Sequence, residues 1–389
     1  MKHSYLYLHV TNLTSFFLFS HVRIGTLFGK AVVLEAPPDW WYQQHPEWPK
    51  SVNFYLWHGI STSTRRTYST GQKQFLDFAR LHGLYNSDGS IIPASQSAFM
   101  QWIASLAGRV QPKTVKAYLT AVRSLHTDCD IPFTACDSPI VNRLIRGIKA
   151  YHGEHERQPV QPITLPILVS LLAQLKPGVS PGHTVIYAAC CLAYSGLLRC
   201  GEFTTGKGSH NPSLKLSRQH VQFLPSFKNP THILLTLPAS KTDPFRKGIT
   251  ITIAAVPSRP TCPVSALKAL FLELPDRAPT APLFEEVDGK PLSYKFFVNS
   301  IRTALELAGL NPKNYAGHSF RRGAASSAAA AGYSDYEIQL LGRWRSDAYK
   351  LYIETNHQRI LHLSSLLHMD QTQYVPFEPP SLRNFTPLA

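Results

Sequence analysis

Apolar residues recur at helical spacing along most of this chain, and that periodicity restricts the fold to a mainly helical one. Residues 57–153 contain four such segments joined by short turns: "STSTRRTYSTGQKQFLDFARLHGL", "SQSAFMQWIASLAG", "KTVKAYLTAVRSLHTD" and "SPIVNRLIRGIKAYHG". In the first, a Ser/Thr run suited to helix capping precedes Tyr68, Phe75, Phe78 and Leu81, which recur at helical spacing. The pattern predicts a compact helical domain over residues 57–153.

A second block of helical periodicity follows a polar, proline-containing segment, "GEHERQPVQP" (153–162), which predicts an inter-domain linker. Beyond it we expect helices at about 164–175, 182–196, 263–273, 293–308, 318–331, 334–341 and 346–367. Within this block, "THILLTLPASKTDPFRKGITITIAAV" alternates β-branched and polar residues on both sides of a turn, which predicts a hairpin with Lys241 near the end of its first strand. The expected fold class is therefore mainly α in two domains, with a small antiparallel sheet in the second, residues 154–370.

The two ends of the chain differ from these domains. "LTSFFLFSHV" has the length of a signal-peptide core, but no small-residue cleavage site follows it, and it is too short and interrupted for a membrane span. "APPDWWYQQHPEWPK" (36–50) is rich in Pro and Trp and predicts a linker rather than a helix. Residues 1–56 are expected to be a poorly ordered extension and linker, and residues 371–389 a Pro-rich tail.

The charge balance favours a polyanionic partner. The chain has 39 Lys and Arg against 24 Asp and Glu, a formal net charge of +15. Nucleic acid is a better candidate than an anionic membrane, although on charge alone an unspecific basic surface is equally possible. The basic residues recur on several helices of the first domain, so we expect them to bind DNA phosphates. These candidates are Arg65, Arg66, Arg109, Lys113, Lys116, Arg123, Arg143, Arg146 and Lys149.

Six cysteines show neither a C-x-x-C pair nor a zinc-like Cys/His spacing. They predict reduced thiols in the cytosol or nucleus, and structural zinc is not expected. A glycine-rich phosphate loop is also absent from the sequence, so no cofactor is expected.

Several short segments could together cleave a phosphodiester without a metal. Such chemistry needs a side-chain nucleophile, preorganised donors for the phosphate oxygens and an acid for the leaving oxygen. The chain offers, in order, "RCGE" with Arg199 and Glu202, "SKTD" with Lys241, "HSFRRG" with His318 and Arg321, "LGRW" with Trp344, and then Tyr352. Each alone has a simpler structural explanation, such as an ion pair, an exposed strand Lys or a core aromatic.

The ordered set resembles the tyrosine recombinase (phage integrase) family. More narrowly, "SKTD", "HSFRRGAA" and "GRWRSDAYKLYI" resemble recombinases of eukaryotic mobile elements such as Cryptons. The resemblance covers about residues 60–370 and is stronger in the C-terminal motifs than in the first domain. It implies a SAM-like helical core-binding domain followed by an α+β catalytic domain of the DNA breaking-rejoining type.

The resemblance also implies the roles of individual residues. Arg199 and Arg321 would clamp the scissile phosphate, with Glu202 orienting Arg199. Tyr352 would attack, giving a 3′-phosphotyrosyl link that retains the bond energy without ATP or metal. Lys241 would protonate the leaving 5′ oxygen.

Two further roles follow in the same way. His318 would assist proton transfer at the nucleophile, and Trp344 would donate its indole N–H at a position where the family usually has a second His. The family's Tyr follows that position by about nine residues, whereas Tyr352 follows Trp344 by eight. Tyr349, one helical turn earlier, is therefore a competing nucleophile.

By the same resemblance the protein is expected to form a basic C-shaped clamp around double-stranded DNA and to act as a tetramer on two paired sites. The segment 357–369 would dock on a neighbouring protomer, or else pack within its own chain. A eukaryotic chain would act in the nucleus, and any other in the cytoplasm. Three alternatives stay open: a type IB topoisomerase, a domesticated DNA-binding protein that does not cleave, and a fragmentary gene product that fails to fold or assemble.

Overall fold

A computed structural model describes residues 21–22, 26–27, 30–31, 34–153, 160–206, 210–239, 243, 247–352 and 364–365, with only the backbone for residues 21–35 and 351–352. The chain divides into two compact units, Met1–Arg157 and Gln158–Ala389. Mainly helical structure with one three-stranded antiparallel sheet fills the described part. No helix of the described residues is both long and apolar enough to cross a bilayer.

Unit 1 begins with two short antiparallel strand pairs and two helices. Strand β1 (His21–Val22) pairs with β4 (Leu34–Glu35), and β2 (Thr26–Leu27) pairs with β3 (Lys30–Ala31). Helices α1 (Asp39–Gln44) and α2 (Lys50–His58) follow.

These two helices correct the prediction of a linker at residues 36–50. Pro38 and Pro49 each stand immediately before a helix, a position where the missing N–H costs nothing, so they start helices rather than prevent them. Trp41 is only 2% exposed, and its indole N–H donates to the carbonyl of Asn53 over 2.8 Å. Burial of this aromatic side chain holds α1 against α2.

The four helices predicted for residues 57–153 are present. They are α3 (Thr62–Leu81), α4 (Gln96–Ser105), α5 (Pro112–Asp128) and α6 (Pro139–His152), with a 3-10 segment at Ala135–Asp137. Side chains of Ser61 and Ser95 cap the first two helices by accepting backbone N–H groups. Phe75, Phe99 and Trp102 form the centre of the core.

An aromatic cluster joins the start of unit 1 to α3 and α5. The guanidinium carbon of Arg65 lies 3.6 Å from the ring centroid of Trp57, and the same group donates to the Trp57 carbonyl over 2.6 Å. Its other terminal nitrogen is 4.0 Å from the carboxylate of Asp128. The ring of His45 bonds the Asp128 carbonyl over 2.8 Å. The guanidinium of Arg65 therefore has its partners, Trp57 and Asp128, within unit 1.

Unit 2 places a small sheet among helices. Its helices are α7 (Leu165–Ala173), α8 (Pro181–Ser195), α9 (Cys200–Phe203), α10 (Pro263–Glu273), α11 (Tyr294–Leu307), α12 (Ser319–Ala330) and α13 (Asp335–Gly342). The strands are β5 (Val221–Leu224), β6 (His232–Leu237) and β7 (Ile249–Ala254), in the order β5-β6-β7. Three 3-10 segments occur at Arg218–His220, Pro312–Asn314 and Asp347–Tyr352.

Strands β6 and β7 form the predicted hairpin, with Leu235 opposite Ile251. Lys241, in the connection between these strands, lies outside the described residues. Strand β5 was not predicted, because four residues are too few to show a clear alternation. The helix expected at 346–367 is a 3-10 segment up to Tyr352, and most of the proposed docking segment 357–369 lies outside the described residues.

Helix α8 forms the centre of unit 2. Residues 188–193 of this helix are fully buried, and it packs against α10 and α12. A helix that is apolar on all sides has to be surrounded in this way. Helix α12 is fixed in turn by the chain before α7, where the Ile163 N–H donates to the Ser319 carbonyl over 2.9 Å.

The buried carboxyl of Asp128 is expected to make the stability of unit 1 depend on pH. Burial is the main cause that raises the pKa of Asp128 from an ordinary 3.8 to about 6, while Arg65 and His45 oppose the rise. Between these values the folded state holds a proton that the unfolded state has released. The free energy of unfolding should therefore fall as the pH rises through this window, by no more than about 3 kcal/mol.

Asp128→Asn should remove this dependence of the free energy of unfolding on pH, whereas Asp130→Asn, at an exposed carboxyl nearby, should retain it. Trp344 is the only tryptophan beyond residue 157, so urea unfolding followed by tryptophan fluorescence mainly reports unit 1. If the free energy of unfolding of Asp128→Asn depended on pH as strongly as that of wild type, Asp128 would not be the group responsible.

Gly323 allows α12 to lie against the backbone of residue 163. A Cβ at this position would overlap the carbonyl group of Ile163. We expect Gly323→Ala to destabilise the protein by roughly 1–3 kcal/mol, because backbone atoms have to move. Gly147→Ala on α6 is the matched control: nothing lies within 4 Å of its Cβ. It should stabilise by about 0.5–1 kcal/mol through helix propensity. Thermal unfolding followed by circular dichroism tests both, and equal effects would contradict the prediction.

Candidate active site

Arg199 and Glu202 form a closed pair at the start of α9. The Glu202 carboxylate accepts the Arg199 backbone N–H over 2.9 Å through one oxygen and the Arg199 guanidinium over 3.0 Å through the other. The Glu202 side chain is only 4% exposed and that of Arg199 is 19% exposed. A buried carboxylate needs such partners, and the three-residue spacing on a short helix brings them together.

A second arginine reaches the same carboxylate from the end of α13. Arg343 donates to Glu202 over 3.3 Å, and also to the carbonyl of Gly196 over 2.9 Å. Burial is the main cause that lowers the pKa of the Arg343 guanidinium, and Glu202 opposes the fall. Sequence reasoning did not place Arg343 in the site, because 141 residues separate it from Glu202 and no local pattern links them.

Arg321 converges on the same turn from the first turn of α12. Its guanidinium donates to the carbonyls of Leu197 and Gly342, and the side chain is only 2% exposed. Arg343 also donates to the Leu197 carbonyl, over 3.4 Å. Leu197 has a left-handed backbone (φ 44°), which is uncommon for a residue with a side chain. Two arginines thus hold this one carbonyl.

Trp344 covers Arg321. The guanidinium carbon lies 4.0 Å from the indole centroid, a cation–π contact. Gly342 makes room for the ring, since a Cβ there would overlap it. Tyr349 also contacts Trp344, with the two ring centroids 5.9 Å apart, and is 2% exposed. Burial, followed by the Asp335 carboxylate, raises the pKa of the Tyr349 hydroxyl.

The remaining predicted residues have different surroundings. His318 is exposed and precedes the first residue of α12, so it does not share the buried environment of Arg321. The backbone of Tyr352 ends the 3-10 segment that follows Trp344, and its side chain lies outside the described part. Lys241 lies outside it as well.

The residues that do come together have an excess of positive charge. Arg199, Arg321 and Arg343 contribute three guanidinium groups, and Glu202 contributes a single carboxylate. Such a cluster favours an anion nearby, and arginine forks match the oxygens of a phosphate. Among the described residues no group of three His, Cys, Asp or Glu side chains is arranged to hold a metal ion.

Most of the basic residues predicted to bind DNA lie at the surface of unit 1. The exposed ones are Arg66, Arg109, Lys113, Lys116, Arg123, Arg143, Arg146 and Lys149. Arg123 also forms an ion pair with Asp137. Arg65 is half-buried, because its guanidinium packs on Trp57 and faces Asp128, and its role in DNA binding stays a prediction. The periodicity of α3 could not show this, because α2 covers that part of its surface.

Known proteins that are similar to this chain in sequence or in fold include integrases and site-specific recombinases. The integrase/recombinase xerD homolog of Selenomonas ruminantium is 26% identical over 281 residues, which cover 69% of this chain and 74% of that protein. No protein-family model matches the sequence.

Among solved structures, XerH site-specific recombinase bound to palindromic difH substrate, in a post-cleavage complex, has a TM-score of 0.56 at 13% identity and covers 78% of this chain and 80% of its own. The pre-cleavage XerH complex with difH has a TM-score of 0.50 at 13% identity, covering 78% and 79%. At this identity the structural likeness concerns the fold. The sequence match to an integrase/recombinase, the likeness in fold and the ordered motifs at Arg199, Arg321 and Trp344 agree: this chain is similar in sequence to an integrase/recombinase and similar in fold to a site-specific recombinase.

Proposed function

We propose that this protein is a site-specific DNA recombinase that cleaves and rejoins strands through a phosphotyrosine bond. The observation that carries the proposal is that Arg321, far away in sequence, donates to the carbonyl of Leu197, two residues before Arg199, whose own guanidinium is held by Glu202. Preorganised guanidinium groups stabilise the charge that develops on phosphate oxygens during transfer. The similarity to recombinases named for a DNA substrate supports DNA as the phosphodiester.

In the proposed reaction the Tyr352 hydroxyl attacks the scissile phosphorus, a 3′-phosphotyrosyl bond forms and the bond to the 5′ oxygen breaks. His318 receives the phenolic proton, and Lys241 gives a proton to the leaving oxygen. Because the energy of the bond is retained, attack by a 5′-hydroxyl reverses the step and rejoins DNA.

Arg321 has to become accessible for this chemistry. In the structure Trp344 lies over its guanidinium and two backbone carbonyls accept its N–H groups. Direct contact with a phosphate therefore requires the segment after Gly342 to shift when DNA binds. Trp344 would then turn its indole N–H toward a phosphate oxygen instead of its face toward Arg321.

The exposed basic residues of unit 1 would supply most of the affinity for the DNA backbone. Exchange of strands between two paired sites would use a tetramer, with each protomer cutting one strand. The likeness of the C-terminal motifs to Crypton-like recombinases suggests a mobile element as the source of the DNA, and a nuclear location in a eukaryotic host.

Covalent capture tests the proposal and separates the two candidate nucleophiles. Suicide duplexes nicked next to the cleavage position, made from the termini of the encoding element, should give a denaturation-resistant protein–DNA adduct in EDTA. We expect Tyr352→Phe to abolish the adduct. Tyr349→Phe should keep it at a reduced rate, because Tyr349 is packed against Trp344.

An adduct that persists in Tyr352→Phe and disappears in Tyr349→Phe would reverse the assignment. Mass spectrometry of the tryptic DNA-linked peptide identifies the tyrosine directly. If the wild-type protein binds the duplexes tightly and forms no adduct, the proposed function is wrong.

Salt dependence distinguishes exposed from enclosed arginines in unit 1. Arg146→Ala should weaken binding to any duplex and reduce the slope of log K against log salt by about 1, because one phosphate contact is lost. Arg65→Met should leave that slope unchanged and lower the melting temperature, because its partners Trp57 and Asp128 are internal. Fluorescence anisotropy over a salt series measures the slope. A reduced slope in Arg65→Met, with an unchanged slope in Arg146→Ala, would show that Arg65 rather than Arg146 contacts a phosphate.

A further inference from the structure

The Glu202 carboxylate has two arginine partners, and only one of them, Arg199, has a role in the proposed reaction. Arg343 approaches the oxygen that also accepts the Arg199 backbone N–H. The remaining donors of Arg343 bind the carbonyls of Gly196 and Leu197, which immediately precede the segment that carries Arg199. The side chain is 11% exposed, so these contacts are largely screened from water.

We infer that Arg343 is a positioning residue for cleavage: it fixes Glu202 and the 196–197 turn, and through them it sets where the Arg199 guanidinium points. This inference rests on the proposed function. One guanidinium fork bridges a carboxylate and two carbonyls, which a lysine ammonium group cannot do in the same geometry.

The second connection of Arg343 is to Arg321. Both donate to the Leu197 carbonyl, and Arg321 also bonds the carbonyl of Gly342, the residue before Arg343. Arg343 itself has a left-handed backbone (φ 56°) at the end of α13, which turns its side chain back toward α9. A change at Arg343 should therefore disturb the positions of both phosphate-binding arginines while leaving their side chains intact.

The test compares Arg343→Met with wild type in single-turnover cleavage of suicide DNA at saturating protein. One duplex carries an ordinary scissile phosphate and the other a neutral methylphosphonate. We expect Arg343→Met to slow cleavage of the phosphate by roughly tenfold or more, with the Kd for DNA changed by less than about twofold. The loss should be much smaller on the methylphosphonate, because a neutral group depends less on correctly placed guanidinium charge.

Arg345→Met is the matched control: it removes the same charge from an exposed position two residues away and should cleave both duplexes at close to the wild-type rate. Arg343→Lys keeps the charge without the fork. It should stay folded if Arg343→Met does not, and it should still cleave the phosphate more slowly than wild type. Wild-type rates in Arg343→Lys and Arg343→Met, or an equal loss on both duplexes, would overturn a positioning role.

A thermodynamic cycle tests the contact independently of cleavage. Melting temperatures of Arg343→Met, Glu202→Gln and the double variant should be non-additive, with the double variant more stable than the sum of the two losses predicts. If wild type forms no adduct, the proposed function is wrong, but this cycle still measures the interaction between Arg343 and Glu202. Additive changes in melting temperature would show that Arg343 and Glu202 do not stabilise each other.

Discussion

The carboxylate of Glu202 is buried among guanidinium groups, and the arrangement around it depends on that charge being satisfied. An ionised carboxylate that is only 4% exposed is very costly unless donors surround it, so Arg199 and Arg343 both have to be in place. One comes from the same short helix and the other from the end of α13. The ion pairs therefore join two distant segments of unit 2 into one site.

The backbone contributes as much as the charges. The left-handed conformation of Leu197 points its carbonyl at Arg321 and Arg343, and their N–H groups offset the conformational cost. Helix α12 can present Arg321 there because Gly323 allows it to approach Ile163. Packing in the core thus decides which polar groups meet at the buried turn that contains Leu197.

Local patterns were enough to predict much of the fold. Helical periodicity predicted most of the longer helices of both units, and the three-residue spacing of Arg199 and Glu202 suggested their ion pair. Local patterns were misleading where a neighbour in space decides the outcome. Pro38 and Pro49 precede helices α1 and α2, and these helices are held together because Trp41 of α1 is buried against α2. Arg65 is half-buried because Trp57 of α2 packs over its side chain.

The same limit applies to the candidate site. The motifs identified Arg321 and Trp344, but their stacking, and the cover it places on the guanidinium, depend on contacts between α12 and the chain after α13. The link from Arg343 to Glu202 is longer still in sequence. A single sequence carries no signal for a pair so far apart, and only the folded chain shows it.

The doubly paired carboxylate also restricts how sequences of this kind can diverge. If Glu202 alone were replaced by an apolar residue, Arg343 would keep a largely enclosed charge without its carboxylate. If Arg343 alone were replaced, half of the neutralising partners of Glu202 would be missing. Either single change leaves an enclosed charge without one of its partners, whereas a paired change leaves only the more exposed Arg199 without its carboxylate. Positions 202 and 343 should therefore be inherited as a unit, and a homologue that has lost one acid or base should have altered the other.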